Sequence, residues 1–310
     1  MADKKNEYGL SLEYLEVLMK TYRTFMALCE KHKLTYFAAG GTMIGAIRHK
    51  GLIPWDDDID VIMPREDYNK FLSLKDGLDG RDYYILDWKV KGYGLPFAKF
   101  CDGKSTLLPF KESTLAYGVY IDVFPLDYIS GDNNAILKKC KQYRVLLHAY
   151  MSANNCVPYS ILFKLFKEGK YTIAIGHFLG QTILKPFKPL LRKMIASYES
   201  RCFRGDKIVS TFGVYKEREI YDKTMFQDKQ RVPFEDTIIY VPSRYDEYLK
   251  QMYKNYMQWP PEKNRVSNHD LYYQNLKRRV PISEIIEGTH DGEYIDRKLQ
   301  ENPYEKIKNY

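Results

Sequence analysis

No Cys-x-x-Cys pair occurs in this 310-residue sequence. The five cysteines, at positions 29, 101, 140, 156 and 202, are scattered and odd in number. That pattern argues against a disulfide framework, and a reducing cytoplasm is the expected compartment. Long apolar runs are also missing. The uncharged stretch YTIAIGHFLGQTIL, residues 171–184, falls short of the roughly 20 apolar residues that span a bilayer. The opening residues MADKKNEYGLSLEY are polar and lack the apolar core of a signal peptide. There is no internal repeat, low-complexity tract or flexible linker. Zinc-finger spacing and an aromatic-rich RNA-binding signature are absent, so no nucleic-acid partner is expected.

What is present begins with charge and tyrosine. The formal net charge is +8 and the isoelectric point lies near 8.9. This balance favours anionic partners, either phosphate-bearing small molecules or an anionic membrane surface. The hydrophobic fraction of 45% is ordinary for a globular chain, but 28 tyrosines are many. Each has an apolar ring and a polar tip, suited to half-buried packing, clefts and interfaces. The length suits one large domain or two small ones.

Along the chain, Leu15, Leu18, Met19, Tyr22, Phe25, Met26 and Cys29 recur with helical spacing, predicting a packing helix over 11–31 with Ser11 as N-cap. LTYFAAGGT reads as a strand running into a glycine turn, MIGAIRHKG as a short helix ended by Gly51, and IDVIM as a strand stopped by Pro64. Pro64 then opens another helix. Strands are expected near 83–88 and 95–101, and over 117–127 with an end at Pro125. Mixed strands and helices give an α+β (mixed α/β) core.

After residue 130 the pattern turns helical. Residues 158–195 hold Lys164, Lys167, Lys170, Lys185, Lys188, Arg192 and Lys193 against the single acid Glu168. This insert reads either as a helical packing element or as a segment lying on an anionic membrane. TIIYVP predicts a strand, and SRYDEYLKQMYKNYM a helix capped by Ser243. WPPEKNRVSNH is a proline-marked loop ending at His269, and residues 289–310 are polar enough to fray. The division expected is a packing helix over 1–30, a catalytic domain over 31–270 and a tail over 271–310.

The chemistry concentrates in GGTMIGAIRHKGLIPWDDDIDVIM, residues 40–63. Four carboxylates, Asp56, Asp57, Asp58 and Asp60, crowd together between apolar residues. Adjacent carboxylates repel, and burial sharpens the repulsion. Alternation along a strand puts Asp58 and Asp60 on one face and Ile59, Val61 and Met63 on the other. Two carboxylates so spaced form half of a site for magnesium, or manganese. Asp122, alone within VYIDVF, is a third carboxylate for that metal, or a general base with a raised pKa. The competing reading is a salt bridge to Arg48, Lys99 or Lys104. A calcium loop fits poorly, because its sixth position would be Val61 instead of glycine and its twelfth Asp67 instead of glutamate. Gly40-Gly41-Thr42 before a helix has the makings of a phosphate cradle. Glycine cradle, short helix and Asp-x-Asp strand together form a nucleotidyltransferase-like order.

GGTMIGAIRHKGLIPWDDDIDVIMPREDY resembles the signature of the LicD family of phosphotransferases. The likeness continues through YIDVFPLD, VPSRYDEYLKQMYKNYMQWPPEKNR and His269. The resemblance implies a nucleotidyltransferase-like core sheet flanked by helices, with a helical insert and a helical C-terminal part. It implies transfer of a substituted phosphate, such as phosphocholine, from a CDP-linked donor to a sugar hydroxyl of a glycan or lipid-linked glycan, releasing CMP. CDP-ribitol, CDP-glycerol, CDP-ethanolamine and direct nucleotidyl transfer are the alternatives. A non-catalytic metal- or glycan-binding module is the contrasting class. Carried over, Asp58, Asp60 and Asp122 bind the catalytic metal. Gly40, Gly41, Thr42, Arg48, Lys99, Lys104 and His269 hold donor phosphates. Asp56 supports the metal side, and Asp57 caps or pairs with Arg48 or His49. A choline head calls for an aromatic cage, for which Trp55, Trp88 and Trp259 are available. A cytoplasmic enzyme, peripheral on the inner membrane face, is the expected setting.

Overall fold

The computed structural model describes residues 4–78, 82–111, 113–154, 159–201, 205–266, 271–288 and 292–294. The first helix, α1 (Leu12–Lys31), starts where Ser11 Oγ accepts the Tyr14 amide at 3.0 Å, satisfying one of the first-turn donors that lack a partner within the helix. Its buried stripe of Leu18, Met19, Tyr22, Phe25 and Cys29 follows the helical period and faces the sheet. Phe25 meets the rings of Tyr36, Phe71 and Phe100 at centroid distances of 5.2, 5.8 and 5.7 Å. Truncating such a fully buried ring costs about 3–5 kcal/mol.

The chain then gives β1 (Phe37–Ala38), α2 (Gly40–Arg48), β2 (Asp60–Pro64), α3 (Arg65–Ser73), α4 (Lys75–Leu78), β3 (Tyr83–Leu86), β4 (Ala98–Asp102), β5 (Thr106–Leu108) and β6 (Tyr120–Ile129). Two boundaries differ from expectation. The α2 helix begins at Gly40, so the Gly-Gly-Thr segment is its first turn, not a loop before it. Strand β6 does not stop at Pro125. It pairs with β4 as far as Val123, then from Leu126 onward with β7 (Lys207–Ser210). Pro125 lies in the gap where β6 exchanges one antiparallel neighbour for the other, so its missing N–H takes no bond from that side.

The main sheet runs β1-β2-β6-β4-β3, with β7 on the second half of β6 and β8 (Ile220–Asp222) on β7. Among the described residues of this sheet, only the β2–β6 pairing is parallel; the others are antiparallel. This makes the fold a mixed α+β one. Helices α5 (Asn133–Asn154), α6 (Tyr159–Lys167), α7 (Tyr171–Leu179) and α8 (Lys188–Glu199) follow β6, with a π turn and a 3₁₀ turn joining α7 to α8. They build a separate helical arm.

The C-terminal part is less helical than expected. A hairpin of β9 (Lys229–Phe234) and β10 (Thr237–Pro242) precedes α9 (Tyr245–Tyr253). Then come β11 (Tyr273–Asn275), α10 (Ile282–Glu287) and β12 (Glu293–Tyr294), with β11 joining β5 to β12. The segment 293–294 is therefore paired, although it lies in the stretch expected to fray. Arg244, not Ser243, is the residue preceding α9, and its side chain makes no cap bond.

Core and arm are tied by a buried charge. Arg65 is 1% exposed and bonds both oxygens of the fully buried Asp127, Nε to Oδ1 at 2.6 Å and Nη2 to Oδ2 at 3.0 Å. Thr211 also donates to Asp127. Arg65 reaches Glu199 of α8 at 3.4 Å, and the Tyr143 hydroxyl of α5 donates to the same carboxylate at 2.7 Å.

Candidate active site

The parallel pairing of β2 with β6 sets the site. Asp60 lies opposite Asp122, and Asp122 lies opposite Lys99 on β4. Three adjacent strands thus place two carboxylates and an ammonium in one row. Because side chains alternate across a sheet, all three share a face. Asp58 precedes β2 by two residues and joins the row: ligand oxygens of Asp58, Asp60 and Asp122 all lie within 4.8 Å of one another. The register is locked from both sides. The Asp122 amide donates to the Ile59 carbonyl at 2.9 Å, and the Asp60 amide donates to Thr42 Oγ1 at 2.8 Å.

Lys99 is the salt-bridge partner that sequence reasoning set against the metal reading. Its Nζ is 2.6 Å from Asp122 Oδ1, and the lysine side chain is only 3% exposed. It also sits 3.3 Å from the centre of the Tyr120 ring, where the ring's negative face favours a cation. Lys99 offsets one of three clustered negative charges. That ion pair involves Asp122 Oδ1 alone, so it is compatible with an oxygen-ligated cation at the cluster. A cluster of carboxylate oxygens is the donor set that hard divalent cations prefer.

The first turn of α2 faces these acids. A Cβ on Gly41 would come within 2.8 Å of Asp56 Oδ2, and one on Gly40 within 3.4 Å of Asp60 Oδ2 and 3.6 Å of the Tyr253 hydroxyl. Gly40 also has φ +51°, a region that favours glycine. These glycines admit carboxylates close to a helix N-terminus, whose positive end stabilises negative charge. The space expected to cradle phosphate is thus shared with Asp56 and Asp60.

Other expected residues sit differently. The Arg48 guanidinium donates through Nη1 to the carbonyls of Tyr256, at 2.8 Å, and Gln258, at 3.1 Å. Its Nε donates to His49 at 2.9 Å. Those bonds tie α2 to the loop after α9. Lys104 forms an exposed ion pair with Asp82 at 2.7 Å. Trp88 belongs to a second core with Tyr150, Leu147 and Ile195. Trp55 and Trp259 do converge, with ring centroids 5.6 Å apart, and the Arg265 guanidinium lies 5.9 and 5.0 Å from them. His269 falls outside the described residues.

Tyrosines are the site residues that sequence reasoning missed. Burial raises the Tyr14 phenol pKa, and Asp57, Asp58 and Asp122 raise it further. Burial does the same at Tyr117 and Tyr120, with Asp122 adding to it at both. At Tyr248 and Tyr253 of α9, Asp60 is among the contributing charges. These upward shifts keep the phenols protonated, and the Tyr248 hydroxyl accepts the Gly40 amide at 3.5 Å. Nothing in the helical spacing of α1 distinguishes Tyr14 from a packing residue.

The sequence pattern described as LicD/FKTN/FKRP, nucleotidyltransferase domain, matches residues 33–164. Residues 33–164 are thus similar to a LicD-type nucleotidyltransferase domain. It contains Asp58, Asp60, Asp122 and Lys99 together with the strands that align them. The chain is similar to the lipopolysaccharide cholinephosphotransferase LicD of Haemophilus influenzae, 29% identical over 260 residues, which cover 79% of this chain and 90% of that protein. Human FKRP, a ribitol 5-phosphate transferase, is 27% identical over 111 residues, covering 36% of this chain and a fifth (20%) of its own length. An uncharacterized Rickettsia typhi protein is 30% identical over 120 residues, which cover 37% of this chain and 35% of that protein. The matched segment supplies the acid row, whereas Tyr248 and Tyr253 reach Gly40 at the first turn of α2 from outside residues 33–164.

Proposed function

We propose that this protein is a transferase of substituted phosphate groups acting on a glycan, and that the group is phosphocholine carried by a CDP-linked donor. The observation that carries the reading is the row Asp60–Asp122–Lys99 across β2, β6 and β4, with Asp58 beside it. Its place in a segment similar to a LicD-type domain, together with the chain's similarity to a cholinephosphotransferase and a ribitol 5-phosphate transferase, gives the reaction class.

Asp58, Asp60 and Asp122 would hold magnesium or manganese. When bound, the ion would neutralise charge on the donor's diphosphate and the departing CMP. The acceptor hydroxyl oxygen bonds to the distal phosphorus, the bond from that phosphorus to the CMP oxygen breaks, and the hydroxyl proton passes to Asp122. Lys99 fixes Asp122 in place. Backbone amides of the α2 first turn assist with donor phosphate oxygens. Positioning and charge stabilisation supply most of the rate.

A cationic head group is favoured over ribitol or glycerol by Trp55 and Trp259. Their rings already accommodate the Arg265 guanidinium, so a quaternary ammonium has a matching aromatic surface. Trp55 directly precedes the acidic run.

The test is CMP release from a panel of CDP-choline, CDP-ethanolamine, CDP-ribitol and CDP-glycerol, with glycan acceptors and magnesium. Release from CDP-choline that requires metal and is lost in Asp58→Asn and Asp122→Asn supports the reading. Release from CDP-ribitol alone moves the assignment to that donor. Nucleotide left on the acceptor means direct nucleotidyl transfer.

A further inference from the structure

The helical arm inverts the usual arrangement of apolar side chains. Among the described residues, 19 large hydrophobic side chains are exposed, and 11 of them fall between Tyr159 and Met194. This is not for want of a core to pack on. Helix α6 buries Leu162 and Leu165 while Phe163 and Phe166 stay 62% and 43% exposed. Helix α8 buries Ile195 while Leu190 and Met194 stay 55% and 49% exposed. Both helices are therefore apolar on the face that packs and on the face that does not. At the joint after α7, a Cβ on Gly180 would lie 2.3 Å from the Ser152 side chain of α5, so this joint sits close against α5 within the arm.

Charge accompanies that outer face. Residues 158–195 contain seven bases and one acid, a formal charge of +6 out of +8 for the whole chain. Lys185, Arg192 and Lys193 are exposed beside the apolar side chains. Exposed apolar side chains ringed by lysine and arginine, with almost no acid, match an anionic lipid surface: the apolar groups enter the acyl boundary and the bases meet the headgroups. No described helix is long and apolar enough to cross a membrane, which leaves an in-plane contact. We propose that the outer face of α6, α7 and α8 docks on an anionic bilayer. This is independent of the donor assignment and of catalysis.

Co-sedimentation of the full chain with phosphatidylglycerol vesicles and with phosphatidylcholine vesicles tests it. Wild type should pellet with the former, less as salt rises, and remain in solution with the latter. The triple variant Phe166→Ser, Phe178→Ser, Ile183→Ser should bind at least about a hundredfold more weakly, with its thermal unfolding unchanged. Should that variant not fold, Lys185→Glu with Lys193→Glu should bind at least about tenfold more weakly. Ile286→Ser, on exposed α10, should bind as wild type does. Wild type remaining in solution with phosphatidylglycerol overturns the proposal, as does full binding by the arm variants or equal loss by Ile286→Ser. Lipid-free sedimentation showing a dimer that the triple variant dissolves also overturns it, in favour of a second copy of the chain.

Discussion

The acid row and the helical arm break the rules of burial in opposite directions. At the row, charge is inside: Asp58, Asp122 and Lys99 are 9%, 7% and 2% exposed. On the arm, apolar bulk is outside, with Phe163 62% exposed. A buried charge costs energy unless it is paired or ligated, and exposed apolar patches mark contact surfaces. Two departures of opposite sign therefore point to two different partners, a small charged ligand at one and a broad surface at the other. Arg65 ties the core to the arm, pairing with Asp127 in the one and with Glu199 on the other.

The comparison breaks hardest at the acids. Asp58→Asn should lower kcat for CMP release on the order of a thousandfold and abolish magnesium binding by calorimetry, leaving vesicle binding intact. Next comes Lys99→Met. Removing the buried partner of Asp122 should cost about 3–5 kcal/mol in urea unfolding, and magnesium should restore part of that loss. A loss indifferent to magnesium would separate Asp122 from the metal.

Arg65→Met tests the connection. It leaves Asp127 buried without its bidentate partner and should also cost about 3–5 kcal/mol; a cost below about 1 kcal/mol would contradict the pairing. Gly180→Ala acts within the arm alone. It should cost about 1–3 kcal/mol through overpacking on Ser152, while CMP release at a permissive temperature stays at the wild-type rate. The smallest expected effect sharpens the contrast between inside and outside. Phe166→Ser should change stability by no more than about 0.5 kcal/mol, against about 3–5 kcal/mol for Phe25→Ala. Equal costs would mean that the outer face of α6 is packed after all.

Local pattern made much of this legible. Strand alternation separated Asp58 and Asp60 from Ile59, Val61 and Met63, and helical spacing with a serine cap marked α1 almost to the residue. The failures share a cause. Pro125 reads as a strand end, because a lone sequence does not reveal that β6 changes partners there. The bonds of Arg48 to the carbonyls after α9 are also illegible, because those partners lie far along the chain. Tyr14 goes unmarked within α1, because its acidic neighbours come from β6 and the segment before β2.

Residue type and local period alone mark the acidic run Asp56–Asp60 and a basic, apolar arm. Those properties reside in residue type and in periods of two and 3.6, both fixed by local backbone geometry. Long-range packing sets Asp122 between Asp60 and Lys99, brings Tyr248 and Tyr253 to Gly40, and turns many of the arm's apolar side chains outward. Strand register and helix orientation follow from packing between segments distant along the chain. The parallel pairing of β2 with β6 is what turns a run of repelling carboxylates into one site.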